Sequence, residues 1–375
     1  MELTLTEDQI FIRDEARRLL AAKADGDALR RIVSGGDGVD ADLWKTISTE
    51  LGWCAMTIPE DQGGVGLGLT ELVLLMEAVG ERLAPVPLWS TACLAVPLLM
   101  AVGTDAARAW LERIAEGDAA ATVAIADMNS AMPLRGAGVT ATRQDDGYTL
   151  HGNLPLVTDA QVAGLILVPA RIGDEVAVFS LEPSTRPDVR RLDTLDRTRQ
   201  FCAVALNDFP VPETARLDRN GITADALEQA ETTATLGLAA EQVGLARGAM
   251  NLTLDYISER VQFGRTIASF QAVKHRCAAL EVDFAELRAL IFGAAAQTDP
   301  AERLLEVAGA RALASDLAFR ASEEAIQLHG GVGFTTEYAP HLYFKRAQAS
   351  WHMLGSPEHH LDRIAAHCLP DGDAA

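Results

Sequence analysis

The 375-residue sequence has no apolar run long enough to span a bilayer. Its longest, around Leu94 to Val102, is interrupted by Pro97 and falls well short of the ~20 residues a crossing helix needs. Its five cysteines, at 54, 93, 202, 277 and 368, form no CxxC pair and no disulfide framework. This reads as a reduced, cytoplasmic chain. The first residues, MELTLTEDQI, are acidic where a signal peptide would be basic. There is no Walker lysine, no internal repeat and no low-complexity tract. Positive charge is scarce, with 32 basic against 53 acidic residues and a net charge of -21. Such a field repels nucleic acid and anionic membranes. A phosphate-bearing ligand would therefore have to meet a local cluster of arginines, lysines or helix N-termini.

Hydrophobic residues make up 49% of the chain, enough to fill two or three domain cores. Residues 1–117 read as an N-terminal helical domain. Thr6 precedes Glu7 and Asp8 as a cap with an acidic first turn, and further helices are expected over 70–82 and 105–116. GGVGLG at 63–68 lacks the strand that would precede a dinucleotide-binding turn, so it reads as a loop. From 118 to 221 the texture changes. ATVAIAD, GVTATR, YTLHG, GLILVPAR, EVAVFSLE and FCAVALNDFPVP are short, β-branched runs punctuated by Gly, Asp and Pro. They predict six or more strands in a β-barrel or sandwich. Residues 222–375 return to helix, with long segments expected at 224–259, 271–296, 300–328 and 357–367.

Two stretches between or after these helices carry chemistry. RVQFGRTIASFQ at 260–271 sets Arg260 and Arg265 beside Gly264, which lets a ligand approach the backbone. QLHGGVGF at 327–334 has glycines that can end a helix and turn backbone N–H groups toward an anion. Either alone is compatible with an ordinary turn. Together, RxQFGxxIxxFQ followed by QxxGGxGFTTEY resembles the acyl-CoA dehydrogenase family. The segment LGWCAMTIPEDQGGVGLGLTELVLLMEAVGERLAPVP is similar to that family's N-terminal region, and the likeness runs over essentially the whole chain.

The resemblance implies an α+β fold: an N-terminal helical domain, a middle β-barrel or sandwich and a C-terminal four-helix bundle. It implies FAD as cofactor and an acyl-CoA thioester as substrate. In the family the flavin accepts a hydride from the acyl β-carbon while a carboxylate removes the α-proton. Electrons then pass to an electron-transfer flavoprotein. By the same resemblance, Arg260 and Phe263 contact the adenosine diphosphate part of FAD, with Gln271 nearby. Gln327, Gly330 and Gly331 contact FAD across a subunit interface. Thr158 takes the place of the flavin-bonding threonine, and Leu156 stands where tryptophan is common. The family's TEPGAGSD loop is replaced by ADMNSAMPL near 126–134.

The family's usual catalytic glutamate falls on Leu354, whose backbone N–H is left to donate to the thioester oxygen. The alternative base position, on the helix before RxxFG, falls on Ala234. Glu241, seven residues further along that helix, lies about two turns or ~10 Å away on the same face. Among Leu238, Ala239, Ala240, Val243 and Gly244, a carboxyl is expected to have a raised pKa and to serve as base. The other reading of Glu241 is a buried or interfacial glutamate paired with an arginine such as Arg247. AAExxG resembles actinobacterial members acting on steroid side-chain thioesters, in which two different chains often form an α2β2 tetramer. Three functions follow: a dehydrogenase with Glu241 as base, a non-catalytic partner subunit, or a flavin monooxygenase on the same fold. A homo-oligomer is the alternative assembly. His352, His359, His360 and His367 crowd the C-terminus without a ligand motif, so no metal site is expected. His329 is expected at a solvated helix end.

Overall fold

A computed structural model describes residues 4–35, 38–130, 133–135 and 138–369. Part of the ADMNSAMPL loop, residues 131–132, lies outside the described residues.

The chain begins with helices α1 (Glu7–Lys23), α2 (Gly26–Gly35), α3 (Ala41–Lys45), α4 (Leu69–Glu81), α5 (Val96–Val102) and α6 (Asp105–Ala115). Thr6 caps α1: its side chain accepts the Gln9 N–H, and the Gln9 side chain returns to the Thr6 N–H. Strands follow: β1 (Ala121–Val123), β2 (Val139–Gln144), β3 (Gly147–Thr158), β4 (Leu165–Ile172), β5 (Glu175–Leu181), β6 (Val189–Arg191) and β7 (Phe201–Pro212). They form a seven-stranded sheet in the order β1-β4-β2-β3-β7-β6, with β5 paired to β4. The sheet is mixed: β4 runs parallel to β1 and β2, and the remaining pairs are antiparallel. Its own core includes Leu150, Val157, Phe179 and Leu206.

The last third holds α7 (Ala224–Glu259), a two-stranded turn of β8 (Val261–Gln262) and β9 (Arg265–Thr266), then α8 (Gln271–Ala296), α9 (Pro300–His329), α10 (Pro340–Ser350) and α11 (Pro357–Cys368). Thr223 caps the 36-residue α7, and few interior breakers interrupt it. Asp299 caps α9, and Pro300 occupies its first turn, where no N–H is needed. The N-terminal helices do not stand apart. Leu72 to Gly80 of α4 are all buried, and α4 packs lengthwise on α7 within a core shared by the first and last thirds. This packing places the middle of α7 at the centre of the molecule. Among the described residues, no helix is long and apolar enough to cross a membrane.

Candidate active site

Glu241 lies mid-helix in α7 and is 2% exposed. Its surroundings are ionic. Arg199, just before β7, reaches one carboxylate oxygen at 2.5 Å, and Arg346 of α10 donates Nε to the other at 2.9 Å. Arg346 also donates to the Thr198 hydroxyl at 3.0 Å, and Asp196 approaches it at 3.7 Å. The Arg199 guanidinium lies 5.5 Å from the centre of the Trp89 ring, whose indole N–H donates to the Ala234 carbonyl. Burial alone would push the Glu241 carboxyl up, but Arg199 and Arg346 outweigh it and hold the pKa below its ordinary value. This corrects the expectation of an apolar setting and a raised pKa. The alternative pairing with Arg247 is corrected too: Arg247 binds Glu281 through both Nη atoms at 2.7 and 2.9 Å. A carboxylate shared by two buried guanidinium groups is a poor proton acceptor, because protonation would strand both cations. The cavity touching Glu241, Arg199 and Asp159 is only about 10 Å³, space for one water at most.

The Leu354 N–H is not free for a thioester. It donates to the Met128 carbonyl at 2.7 Å, so the main chain of the 126–130 segment covers the expected donor. Leu354 has φ +57° and sits in a tightly held turn. Arg311 is fully buried, with no carboxylate partner among the described residues, and donates to the carbonyls of Ser350 and Met353 at 2.7 and 2.8 Å. His360 Nε2 lies 2.9 Å from the Leu354 carbonyl. Burial and the nearby Arg311 charge push the His360 pKa down to about 3. His360 therefore serves as a neutral clasp on this turn.

Thr158 ends β3 and is fully buried. The Thr122 hydroxyl donates to its carbonyl at 2.7 Å and lies 3.4 Å from its hydroxyl. Next to it, Asp159 accepts from Ser90 at 2.7 Å, and its carboxyl is pushed up by burial. Thr158, Asp159, Glu241 and Arg199 thus form a filled interior. A flavin ring does not fit among them, since organic ligands occupy pockets of roughly 300–1,000 Å³.

The two turns of the last third are built differently. Arg260 caps α7 through its N–H to the Tyr256 carbonyl and is exposed, as are Gln271 and Gln327. Phe263 is 91% exposed at φ +55°, so the β8–β9 turn holds an aromatic ring out in solvent. Gly330, at φ +63°, closes α9, and a Cβ added at Gly330 or Gly331 would touch nothing among the described residues. Phe334 follows at 76% exposure. These open backbones, with arginine and exposed aromatics, suit the diphosphate and adenine of a dinucleotide. His329 departs from the expected solvated end. It is 4% exposed, stacked 4.3 Å from the Tyr256 ring, with Nδ1 2.7 Å from the Ala325 carbonyl.

Sequence reasoning misses Glu231, nearly three turns before Glu241 on α7. It is 5% exposed and one oxygen accepts the Leu134 N–H at 2.7 Å; the other has no hydrogen-bond partner among the described residues. Burial raises its pKa to about 7 against the opposing pull of the Leu134 N–H, Arg135 and Arg363. A raised folded-state pKa contributes stability below the ordinary carboxyl range that is lost as pH rises through the folded value. The chain is therefore expected to lose on the order of 3 kcal/mol from this group between about pH 4.5 and 7. Glu231→Gln should flatten that slope in urea unfolding series; an unchanged slope contradicts the assignment.

Comparison with known proteins agrees with the architecture. Residues 6–118 match the description "Acyl-CoA dehydrogenase, N-terminal domain" and residues 229–369 match "Acyl-CoA dehydrogenase, C-terminal domain". The chain is 32% identical to Acyl-CoA dehydrogenase IpdE2 of Mycobacterium tuberculosis over 362 residues, covering 96% of this chain and 98% of that protein. It resembles a chain of the ChsE4-ChsE5 complex from Mycobacterium tuberculosis with a TM-score of 0.87 and 29% identity, covering 98% and 99% of the two chains. A further likeness is to a single-substitution variant of the Tcur3481-Tcur3483 steroid ACAD, with a TM-score of 0.81 and 27% identity, covering 96% of this chain and 98% of that one. The chain belongs to the acyl-CoA dehydrogenase family, FAD-dependent oxidoreductases acting on acyl-CoA thioesters.

Proposed function

We propose that this chain is the supporting subunit of a heteromeric acyl-CoA dehydrogenase. It pairs with a second dehydrogenase-like chain and lends Arg260, Phe263, Gln271, Gln327, Gly330 and Gly331 to the dinucleotide end of an FAD held at the shared interface. The partner supplies the base and the flavin-ring pocket. When bound, the flavin supplies the hydride acceptor; this chain's part is to hold the nucleotide end and keep water from it. The observation that carries the reading is the clamp of Arg199 and Arg346 on Glu241. The Met128 carbonyl on the Leu354 N–H supports it. So do the names of two solved relatives, each naming a pair of chains. The steroid in one of those names makes a steroid-derived acyl-CoA the substrate to try first, with an electron-transfer flavoprotein as acceptor in the cytoplasm.

The test is co-expression with the partner chain. Arg260→Ala and Phe263→Ala remove exposed side chains, so stability should stay within about 0.5 kcal/mol. FAD retained by the co-purified assembly should fall at least ~10-fold, the equivalent of about 1.4 kcal/mol. Full retention of FAD in both variants sinks the reading.

A second reading is favoured by Glu231 alone. Its raised pKa and unpartnered oxygen suit an acid–base group, one turn from Ala234. Here the chain would be active in its own right, and Glu231→Gln would abolish anaerobic bleaching of its flavin by acyl-CoA. Under the supporting-subunit reading that substitution leaves bleaching by the assembly intact.

A further inference from the structure

Arg260 and Gly330 belong to turns at the ends of two different helices, α7 and α9, and one ring–ring contact joins those ends. The Tyr256 ring of α7 lies 4.3 Å from the His329 ring of α9, with 16° between their planes. We propose that this stack is the joint that holds the 260–271 and 327–334 turns in register, and that His329 is thereby a positioning residue for the dinucleotide. The nucleotide's part in this rests on the supporting-subunit reading; the joint itself does not.

Each ring is tied to one of the turns. On the α7 side, the Tyr256 carbonyl accepts the Arg260 N–H at 2.9 Å, and the Arg260 carbonyl accepts the Ile267 N–H at 2.9 Å. Arg260 thus closes the turn that carries Phe263, and it hangs from the residue whose ring makes the stack. On the α9 side, His329 immediately precedes Gly330, where φ turns to +63° and the helix closes. The turn then folds back on the histidine. Gly333 is buried, and a Cβ there would stand 3.1 Å from the His329 Cβ and 2.9 Å from the Ile326 carbonyl oxygen. Tyr338, beyond the turn, sets its ring edge-on to both partners, 6.0 Å from Tyr256 and 6.1 Å from His329. The Tyr256 hydroxyl adds a bond of 3.4 Å to the His329 carbonyl. The imidazole is oriented for this contact. Its Nδ1 lies 2.7 Å from the Ala325 carbonyl, which only accepts, so Nδ1 carries the proton and the bond fixes the ring plane. Burial holds the His329 pKa below its ordinary value against the pull of that carbonyl, so the stacked ring is neutral at pH 7. A ligand gripped by two turns binds best when they are already in register, because ordering them on binding costs affinity.

The joint is read first by amide hydrogen exchange of the full chain alone. In His329→Leu, peptides covering 257–267 and 327–338 should exchange at least ~5-fold faster, the effect of losing one ring–ring contact, while the middle of α9 is unchanged. His329→Phe keeps the ring face and should restore slow exchange, whereas a side chain that only fills space would make leucine as good as phenylalanine. The nucleotide is read in the assembly purified with the partner chain. The FAD dissociation constant should rise at least ~5-fold in His329→Leu and in Tyr256→Leu, rise no further in the double variant, and return in His329→Phe. Should a leucine variant fail to fold, His329→Gln removes the ring instead, and its comparison with His329→Phe decides alone. Unchanged exchange over 257–267 without the histidine ring, leucine and phenylalanine acting alike, or additive effects of the two leucines overturns the proposal. So does an unchanged FAD constant in His329→Leu when Arg260→Ala weakens FAD, a result that leaves the supporting-subunit reading standing. An unchanged constant in Arg260→Ala as well strikes both.

Discussion

Glu241→Ala lowers the stability of the chain by about 3–5 kcal/mol, a cost that falls on folding and not on proton transfer. Among the described residues, its carboxylate is the only acceptor that Arg199 and Arg346 share at hydrogen-bond distance. Deleting it leaves two buried guanidinium groups facing each other, with Asp196 still 3.7 Å from Arg346. Glu241→Gln keeps the shape but supplies a neutral acceptor, and should cost less. The pH dependence carries the opposite sign from that of Glu231. A depressed carboxyl pKa contributes stability above the ordinary carboxyl value of 4.5 and loses it as pH falls through the folded value. Urea unfolding of wild type and both variants at pH 7 checks this. A Glu241 variant that is fully stable yet abolishes bleaching of the partner-containing assembly by acyl-CoA would restore Glu241 as a base.

Gly244→Ala is expected to be as damaging, through packing alone. A Cβ at Gly244 would stand 1.9 Å from the Glu77 carbonyl oxygen on α4, and one at Gly80 would stand 1.9 Å from the Glu241 carbonyl oxygen on α7. Gly248 repeats the contact 2.1 Å from the Glu81 oxygen. The two backbones touch through these glycines, so a methyl group cannot be absorbed by a side-chain rotation. The helices would have to separate, at or above the upper end of the roughly 1–3 kcal/mol typical of overpacking. Gly331→Ala, whose added carbon meets nothing among the described residues, should leave the melting temperature unchanged and serves as the control.

The helices of the last third are readable because their signals are local. Thr223 and Asp299 are caps, Pro300 fits a first turn, and the glycines from Gly330 close α9. The strands are readable from β-branched runs, but the parallel pairing of β4 with β1 and β2 is not, since nothing in a single run states its neighbours. Glu241 shows the limit of reading a site from its own segment. Its sequence neighbours are apolar, whereas the atoms that surround it come from residues 42 and 105 positions away. The same holds for Leu354, whose N–H is taken by a carbonyl from the β-domain loop. Glu231 gives no signal at all, because its burial depends on Leu134 and the α11 side chain Arg363. AAExxG is informative for a reason the motif does not state: its glycine is a helix-crossing contact and its glutamate an ion-pair anchor.

The supporting-subunit account is tested most directly by flavin content and anaerobic bleaching, measured on the chain alone and on the chain purified with its partner. The chain alone should be colourless and unreactive. The assembly should hold FAD and bleach with an acyl-CoA, and should still do so when this chain carries Glu231→Gln. A chain that binds one FAD by itself and is bleached by acyl-CoA would contradict the account.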